Sequence, residues 1–435
     1  MINVTGFLPF RKSIFSDFLS AGSYAPFRAD SASLRPGAYR PNSGRKDFVM
    51  NKKTLTLLSL LLFLTGCGRS PAPSPGQTPL TPIGTPAAEL PAQIPDGTPG
   101  ITPSASPAAT AAPSPITDAV KVSDYPCRIL SFYKDTPFLL YTSAQTDTVF
   151  EEDVRSLCFQ MAQELGSTAE DEGIFYINNT HGDSVELTER QAAMLRLGLP
   201  YCELTGGAFD VTDAALAALW DISAEDFQLP DEEELSEALL LCDYRNLVLQ
   251  DRTLSFADSR VMLNTSSYRN GYCLDCLLPA LHEGGLNEAV ISFGNVSYYL
   301  SEHPSRGFQA ELTIPSGEGT ASLGTVLLRN YAVAGAHVAE QTVTVDGMLC
   351  HPLYDIRTGY PADCDFTSVF VLSPSAAIAQ MISRACFSRT FEEGNAILSE
   401  IPDTYAVYVM RDGTIRYTDG LTDCFTIQLN DASGK

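Results

Sequence analysis

Apolar residues at Val154, Leu157, Met161 and Leu165 recur at steps of three and four, the period of a helix with one buried face, and predict a helix over residues 151–166. Ahead of it, Phe138-Leu139-Leu140-Tyr141 and Asp147-Thr148-Val149-Phe150 bracket a polar stretch and read as strand material. Ile174-Phe175-Tyr176-Ile177-Asn178 reads as a short strand or extended loop. Thr188 with Gln191 has the spacing of a capping box, so a helix should run from there to the neighbourhood of Pro200 and deliver the chain to Gly206-Gly207. An alanine- and leucine-rich helix then leads to Trp220, and residues 231–241 form another amphipathic helix.

Further on, strands are expected at 247–249 and 253–256 around Asp251-Arg252, at 288–293 before Gly294, at 309–314 and at 368–372. Apolar helices are expected over 272–282 and 376–387, and Asp346-Gly347 and Asp412-Gly413 are hairpin turns. Helices interspersed with strands that pair partly through hairpins predict an α+β fold with mixed and antiparallel sheets.

Charge divides this chain of 435 residues, whose net charge is −24. Residues 1–49 are basic, unlike everything downstream, and we expect the start at Met50 with 1–49 an upstream over-call. Lys52-Lys53, an apolar run over 55–63 and Leu64-Thr65-Gly66-Cys67 have the form of a secretory signal, too short for a comfortable membrane span. Residues 68–120 are rich in Pro, Thr, Ser and Ala and cannot bury enough apolar surface to offset their ordering entropy, so they are expected to be a disordered tether. That leaves 121–435 as the folded domain. Its acidity argues against nucleic acid as a partner. Eleven cysteines include a Cys273-Leu-Asp-Cys276 pair with no second pair to complete a zinc site; buried thiols are expected, with a single disulfide left open.

Two segments carry candidate chemistry. In Leu204-Thr205-Gly206-Gly207-Ala208-Phe209-Asp210-Val211-Thr212 the glycines permit a tight turn, and Asp210 or Thr212 can cap the helix that follows. Such a turn is either a plain junction or a place where free N–H groups receive phosphate. In Tyr354-Asp355-Ile356-Arg357-Thr358-Gly359-Tyr360-Pro361 a carboxylate and a guanidinium sit close together, either as turn residues or as groups set beside a phosphate and a hydroxyl nucleophile.

Taken in order with Ile177-Asn178, Gly271-Tyr272, Asp275 and Ser292-Phe-Gly294-Asn295, these segments resemble the ApbE family, the FAD:protein FMN transferases, over about residues 138–417. The Leu-Thr-Gly-Cys67 ending is similar to a lipobox, in which Cys67 carries the lipid. The resemblance implies a lipid-anchored enzyme on the extracytoplasmic face of a membrane that binds FAD with Mg²⁺. It would transfer FMN to a Thr or Ser hydroxyl of a target protein and release AMP. The alternative is a non-catalytic lipoprotein that holds FAD or a flavoprotein.

Carried over by the resemblance, Ala208, Phe209 and Asp210 would touch the flavin nucleotide, Gly206 and Gly207 would permit its close approach, and Asp355, with Arg357 and Thr358 in the same turn, would lie beside the reacting phosphates. Several positions depart from the family pattern. Asn264 and Asn270, expected among the nucleotide contacts, replace an acidic residue and a lysine, and His351, expected with Asp355 to be catalytic, lies one place from the family's histidine position, which Pro352 occupies. Ser267, Gln380 and Arg384 fall on the metal-site positions, where a carboxylate and a hydroxyl are expected on the helix; a neutral amide is a poorer magnesium ligand and a guanidinium repels the ion.

Overall fold

The computed structural model describes residues 116–429 except 135, 168–172, 181–183, 225–226 and 317–318. Cys67, the expected signal and most of the expected tether lie outside them.

An eight-stranded antiparallel sheet organises the chain. Its strands run in the spatial order Ile415–Tyr417, Tyr405–Met410, Phe366–Ser373, Tyr331–His337, Val296–Ser301, Glu288–Phe293, Thr136–Tyr141 and Cys127–Tyr133. Spatial neighbours are often far apart in sequence. Thr136–Tyr141 pairs with Glu288–Phe293 across an excursion of helices that includes Thr148–Glu164, Glu189–Leu204 and Arg269–Glu283. Tyr331–His337 pairs with Phe366–Ser373 across a second excursion that contains the hairpin Val343–Val345/Met348–Cys350.

Strand Phe366–Ser373 shows why its sequence is apolar without alternation. Val369 and Val371 face a core shared with the helices, while Phe370 and Leu372 face a second core shared with Phe308, Ala310 and Leu312. Those last three belong to Arg306–Ser316, part of a four-stranded sheet covering the other face. A strand buried on both faces needs apolar residues at both phases of its two-residue period. Asp118–Lys121 pairs parallel with Arg306–Ser316; with the antiparallel ladders this gives the mixed α+β architecture.

At one edge, Cys127–Tyr133 slips register against its neighbour between Ile129 and Ser131. There Arg155, from helix Thr148–Glu164, donates to the Leu130 carbonyl at 3.3 Å.

Several expectations need correction. Asp147–Phe150 is no strand: Asp147 caps helix Thr148–Glu164 by accepting from the Phe150 N–H at 2.7 Å. Ile174–Thr180 is a helix, because Ile174 and Ile177, three apart, both enter the core. Helix Glu189–Leu204 begins with the expected capping box but runs past Pro200 to Leu204, its face still burying Gly198 and Cys202. Helix Ala376–Ala385 is shorter than expected and tightens into a 3₁₀ turn at Cys386–Ser388. All ten described cysteines are free thiols.

Candidate active site

Four segments meet around one cleft. Ala208, Phe209, Asp210 and Asp213 form one wall, Asn264, Ser266 and Ser267 a second, Pro352, Leu353, Tyr354 and Ile356 a third, and Arg384, Ala385 and Ser388 the fourth. Two segments come from the first helical excursion and one from the second, while the fourth leaves the strand that closes that second excursion.

Of the two readings open for the Gly turn, the structure gives the plain junction. Gly206 and Gly207 take φ of 58° and 77°, the left-handed region that favours glycine. Their N–H groups bond back to Glu203 and Cys202 carbonyls at 2.9 and 2.8 Å. They therefore close the end of helix Glu189–Leu204 rather than standing free for an anion. Neither glycine lines the cleft; Arg389 holds the turn by donating to the carbonyls of Thr205 and Gly206 at 2.8 and 3.0 Å.

Asp210 does not cap the next helix, which is Ala214–Leu219. One carboxylate oxygen accepts from Thr212 N–H at 2.8 Å and the Thr212 hydroxyl at 2.6 Å, and the other accepts from Tyr244 N–H at 2.9 Å. Asp210 thus fixes the turn that presents Ala208 and Phe209. Burial raises its carboxyl above the ordinary range, against the pull of those donors.

Asp213 is the cleft's chemically distinctive group and was not singled out by sequence. It is 8% exposed, and its two oxygens accept from Asn264 Nδ2 at 2.7 Å and from the Tyr354 hydroxyl at 2.8 Å. Three walls of the cleft thus converge on one carboxylate. Burial pushes this group up to about 7, Asp210 adds to the rise, and the Tyr354 and Asn264 bonds and Arg384 oppose it.

Asn264 is positioned by its own N–H on the Val211 carbonyl at 2.7 Å. Just upstream, Asn178 and Leu263 exchange two bonds of 2.8 Å, so the resemblance residue Asn178 secures the approach to this loop. Ser267 lines the cleft, and its Oγ is buried without a hydrogen-bond partner.

Helix Ala376–Ala385 carries Arg384 to the cleft and is set by Asp275. That carboxylate accepts from the Ser375 hydroxyl at 2.6 Å and from the N–H groups of Ala376 and Ala377 at 2.8 and 3.1 Å. Arg384 is half-buried, donates to the Pro352 carbonyl at 3.4 Å, and has no carboxylate within ion-pair distance among the described residues.

Other expected residues stand away from the cleft lining. Asp355 is locked to Arg357 by a bidentate pair at 2.8–3.1 Å, and Arg357 also reaches Glu393 at 3.6 Å. Thr358, exposed, donates to the Asp355 carbonyl at 3.3 Å. His351 is buried behind Pro352 with Nδ1 unpartnered, and burial lowers its affinity for a proton. Asn270 accepts from Arg269 at 3.3 Å and packs over Gly294. Gln380 is 3% exposed and fully used: it accepts from Gly271 N–H at 2.8 Å and donates to Asn295 at 3.2 Å.

Comparison with known proteins places this geometry. The sequence profile of the ApbE family matches residues 130–409. A FAD:protein FMN transferase of Treponema pallidum is 26% identical over 289 residues, covering 62% of this chain and 80% of its own length. One of Klebsiella pneumoniae is 24% identical over 210 residues, covering 48% and 65%. In structure, the flavin transferase ApbE of Vibrio cholerae superposes with a TM-score of 0.60 at 17% identity, over 69% of this chain and 98% of its own. The ApbE protein of Thermotoga maritima gives 0.60 at 22% identity, over 68% and 98%. At such identities the structural likeness speaks for the fold alone.

Proposed function

The chain belongs to the ApbE family, and from that premise we propose that it is a FAD:protein FMN transferase, moving FMN from FAD to a Thr or Ser hydroxyl of a target protein with release of AMP. The observation that carries this reading is the meeting of Ala208-Phe209-Asp210 with Leu353, Tyr354 and Ile356 across a cleft that also holds Arg384. An anionic ligand in an acidic protein needs a local cation, and Arg384 supplies one. Phe209, held edge-on to Tyr268 with ring centroids 5.3 Å apart, gives the cleft an aromatic wall of fixed orientation.

Phosphoryl transfer requires positioning and stabilisation of charge more than covalent chemistry. Here Asp210 fixes the nucleotide-facing turn, Asn264 and Tyr354 join the walls through Asp213, and Asp275 sets the helix that bears Arg384.

The family's Mg²⁺ does not fit these residues. Gln380 has both ends of its amide engaged internally and does not line the cleft, and Arg384 places a cation there. No step is assigned to a metal.

A lipid anchor at Cys67 and an extracytoplasmic target complete the proposal. The basic Lys52-Lys53, the short apolar run and Leu64-Thr-Gly-Cys67 support it. Fatty-acid labelling of cells should mark the wild type and spare Cys67→Ala; an unlabelled wild type removes the anchor.

The transferase reading is tested by adding FAD and a Thr-containing acceptor peptide to the full chain, then measuring AMP and the mass of the peptide. Stoichiometric AMP with a peptide heavier by one FMN residue is expected. Tight FAD binding with neither product would leave a flavin-holding protein.

A further inference from the structure

Asp213 and Arg384 line the same cleft, close enough for Arg384 to act on the Asp213 carboxyl, yet no ion pair joins them. Each has valence to spare. The oxygens of Asp213 accept one hydrogen bond apiece, from Asn264 and Tyr354, and an ionised carboxylate can take about four. Among the described residues, Arg384 makes one bond of 3.4 Å out of the five its guanidinium can donate. Ser267 adds a buried hydroxyl with no partner on the same lining. A carboxylate with free lone pairs, a guanidinium with free donors and an unpartnered hydroxyl around one cleft match an anion that carries a nucleophilic reaction beside it.

Building on the transferase reading, we propose that Asp213 and Arg384 run the transfer without a divalent cation, Arg384 and Ser267 binding the pyrophosphate oxygens and Asp213 accepting the proton of the attacking hydroxyl. In the step, the acceptor oxygen forms a bond to the phosphorus that bears riboflavin. The bond from that phosphorus to the bridging oxygen breaks, and its electron pair leaves with AMP. The hydroxyl proton passes to Asp213, which later releases it to water. Charge gathering on the phosphoryl oxygens is met by the guanidinium, whose planar fork suits phosphate.

Asp213 shares its surroundings with Asp210, Cys202, Cys242, Tyr354 and Arg384. Of these, Arg384 is the one cation and favours the ionised form, while burial and Asp210 favour the protonated form; the balance near 7 is where a general base works best. A carboxylate of this kind is a proton acceptor only above its titration, so turnover should rise through neutral pH.

The test uses the full chain, FAD and a Thr-containing acceptor peptide. FAD affinity should be the same in EDTA and in excess Mg²⁺. Arg384→Met should weaken it by about tenfold or more in either condition, with Arg384→Lys recovering part of the loss. Asp213→Asn keeps an oxygen for Tyr354; it should bind FAD as well as the wild type, melt at a similar temperature, release AMP at a rate lower by about a hundredfold or more, and lose the rise through neutral pH. Chelation that abolishes FAD binding would overturn the metal-free arrangement and leave the transferase reading intact. An Asp213→Asn protein with wild-type rate and pH profile would overturn the role of the carboxylate. Wild-type protein that binds no FAD in either condition would overturn both the pair and the reading beneath it.

Discussion

Gly271 lies against the backbone of Ala376 so closely that a Cβ at position 271 would stand 2.2 Å from the Ala376 carbonyl oxygen. This contact sets the spacing between helix Arg269–Glu283 and the start of helix Ala376–Ala385, and therefore the depth at which Arg384 enters the cleft. Gly271→Ala must push two backbones apart, because neither partner is a flexible side chain. It should cost about 1–3 kcal/mol, read by urea unfolding, and weaken FAD binding beyond that loss. A variant as stable as the wild type would show that the helices are free to separate.

Asp275 makes the same junction pH-dependent. Burial raises its carboxyl to about 6, against the donors at Ser375, Ala377 and Ala376. The folded protein therefore holds this proton more tightly than the unfolded chain does. The resulting stabilisation is complete below the ordinary value of 3.8 and fades as pH rises through about 6. Relative to Asp275→Asn, the wild type should lose about 3 kcal/mol of stability between roughly pH 4 and pH 7. Parallel stability curves for the two proteins would exclude this.

Trp220 ties the third wall in place, donating from Nε1 to the Gly359 carbonyl at 2.5 Å. Trp220→Phe keeps most of the apolar contact and removes the bond. A loss of about 1 kcal/mol is expected, with faster proteolysis around residues 354–361. Unchanged cleavage there would mean that the turn is held by its own bonds.

Asp210→Ala leaves Thr212 N–H and Tyr244 N–H without their acceptor, so it should destabilise by about 2–3 kcal/mol and lower FAD affinity as the Ala208-Phe209 turn loosens. Asp210→Asn should recover part of both. An alanine variant with wild-type affinity would place the nucleotide elsewhere.

Local chemistry was legible wherever it is short-range. The Thr188 capping box, the hairpins at Asp346-Gly347 and Asp412-Gly413 and the left-handed glycines all appear where the sequence puts them. What those features serve was less visible. The N–H groups of Gly206 and Gly207 are consumed by the preceding helix, a matter of where that helix ends past Pro200. Ile174-Phe-Tyr-Ile has strand propensity, and only the core beneath Ile174 and Ile177 makes it helical. Asp213 has no local signal, because its burial and its bond from Tyr354, 141 residues away, arise only with the fold. Strand Tyr331–His337, built from small residues, offers no run of large apolar groups to announce it, although it lies near the middle of the main sheet.

The slipped register at Ile129 and Ser131 bears on the protein's behaviour in a crowd of its own copies. A sheet edge is a template for a neighbouring molecule's strand, and this one exposes Ile129 at 46% and Phe132 at 53%. The bulge breaks the regular spacing of hydrogen-bonding groups that a docking strand would need, and Arg155 occupies the Leu130 carbonyl beside it. Among the described residues, the bulge and the Arg155 bond thus interrupt the strand template at the place where its apolar side chains are exposed.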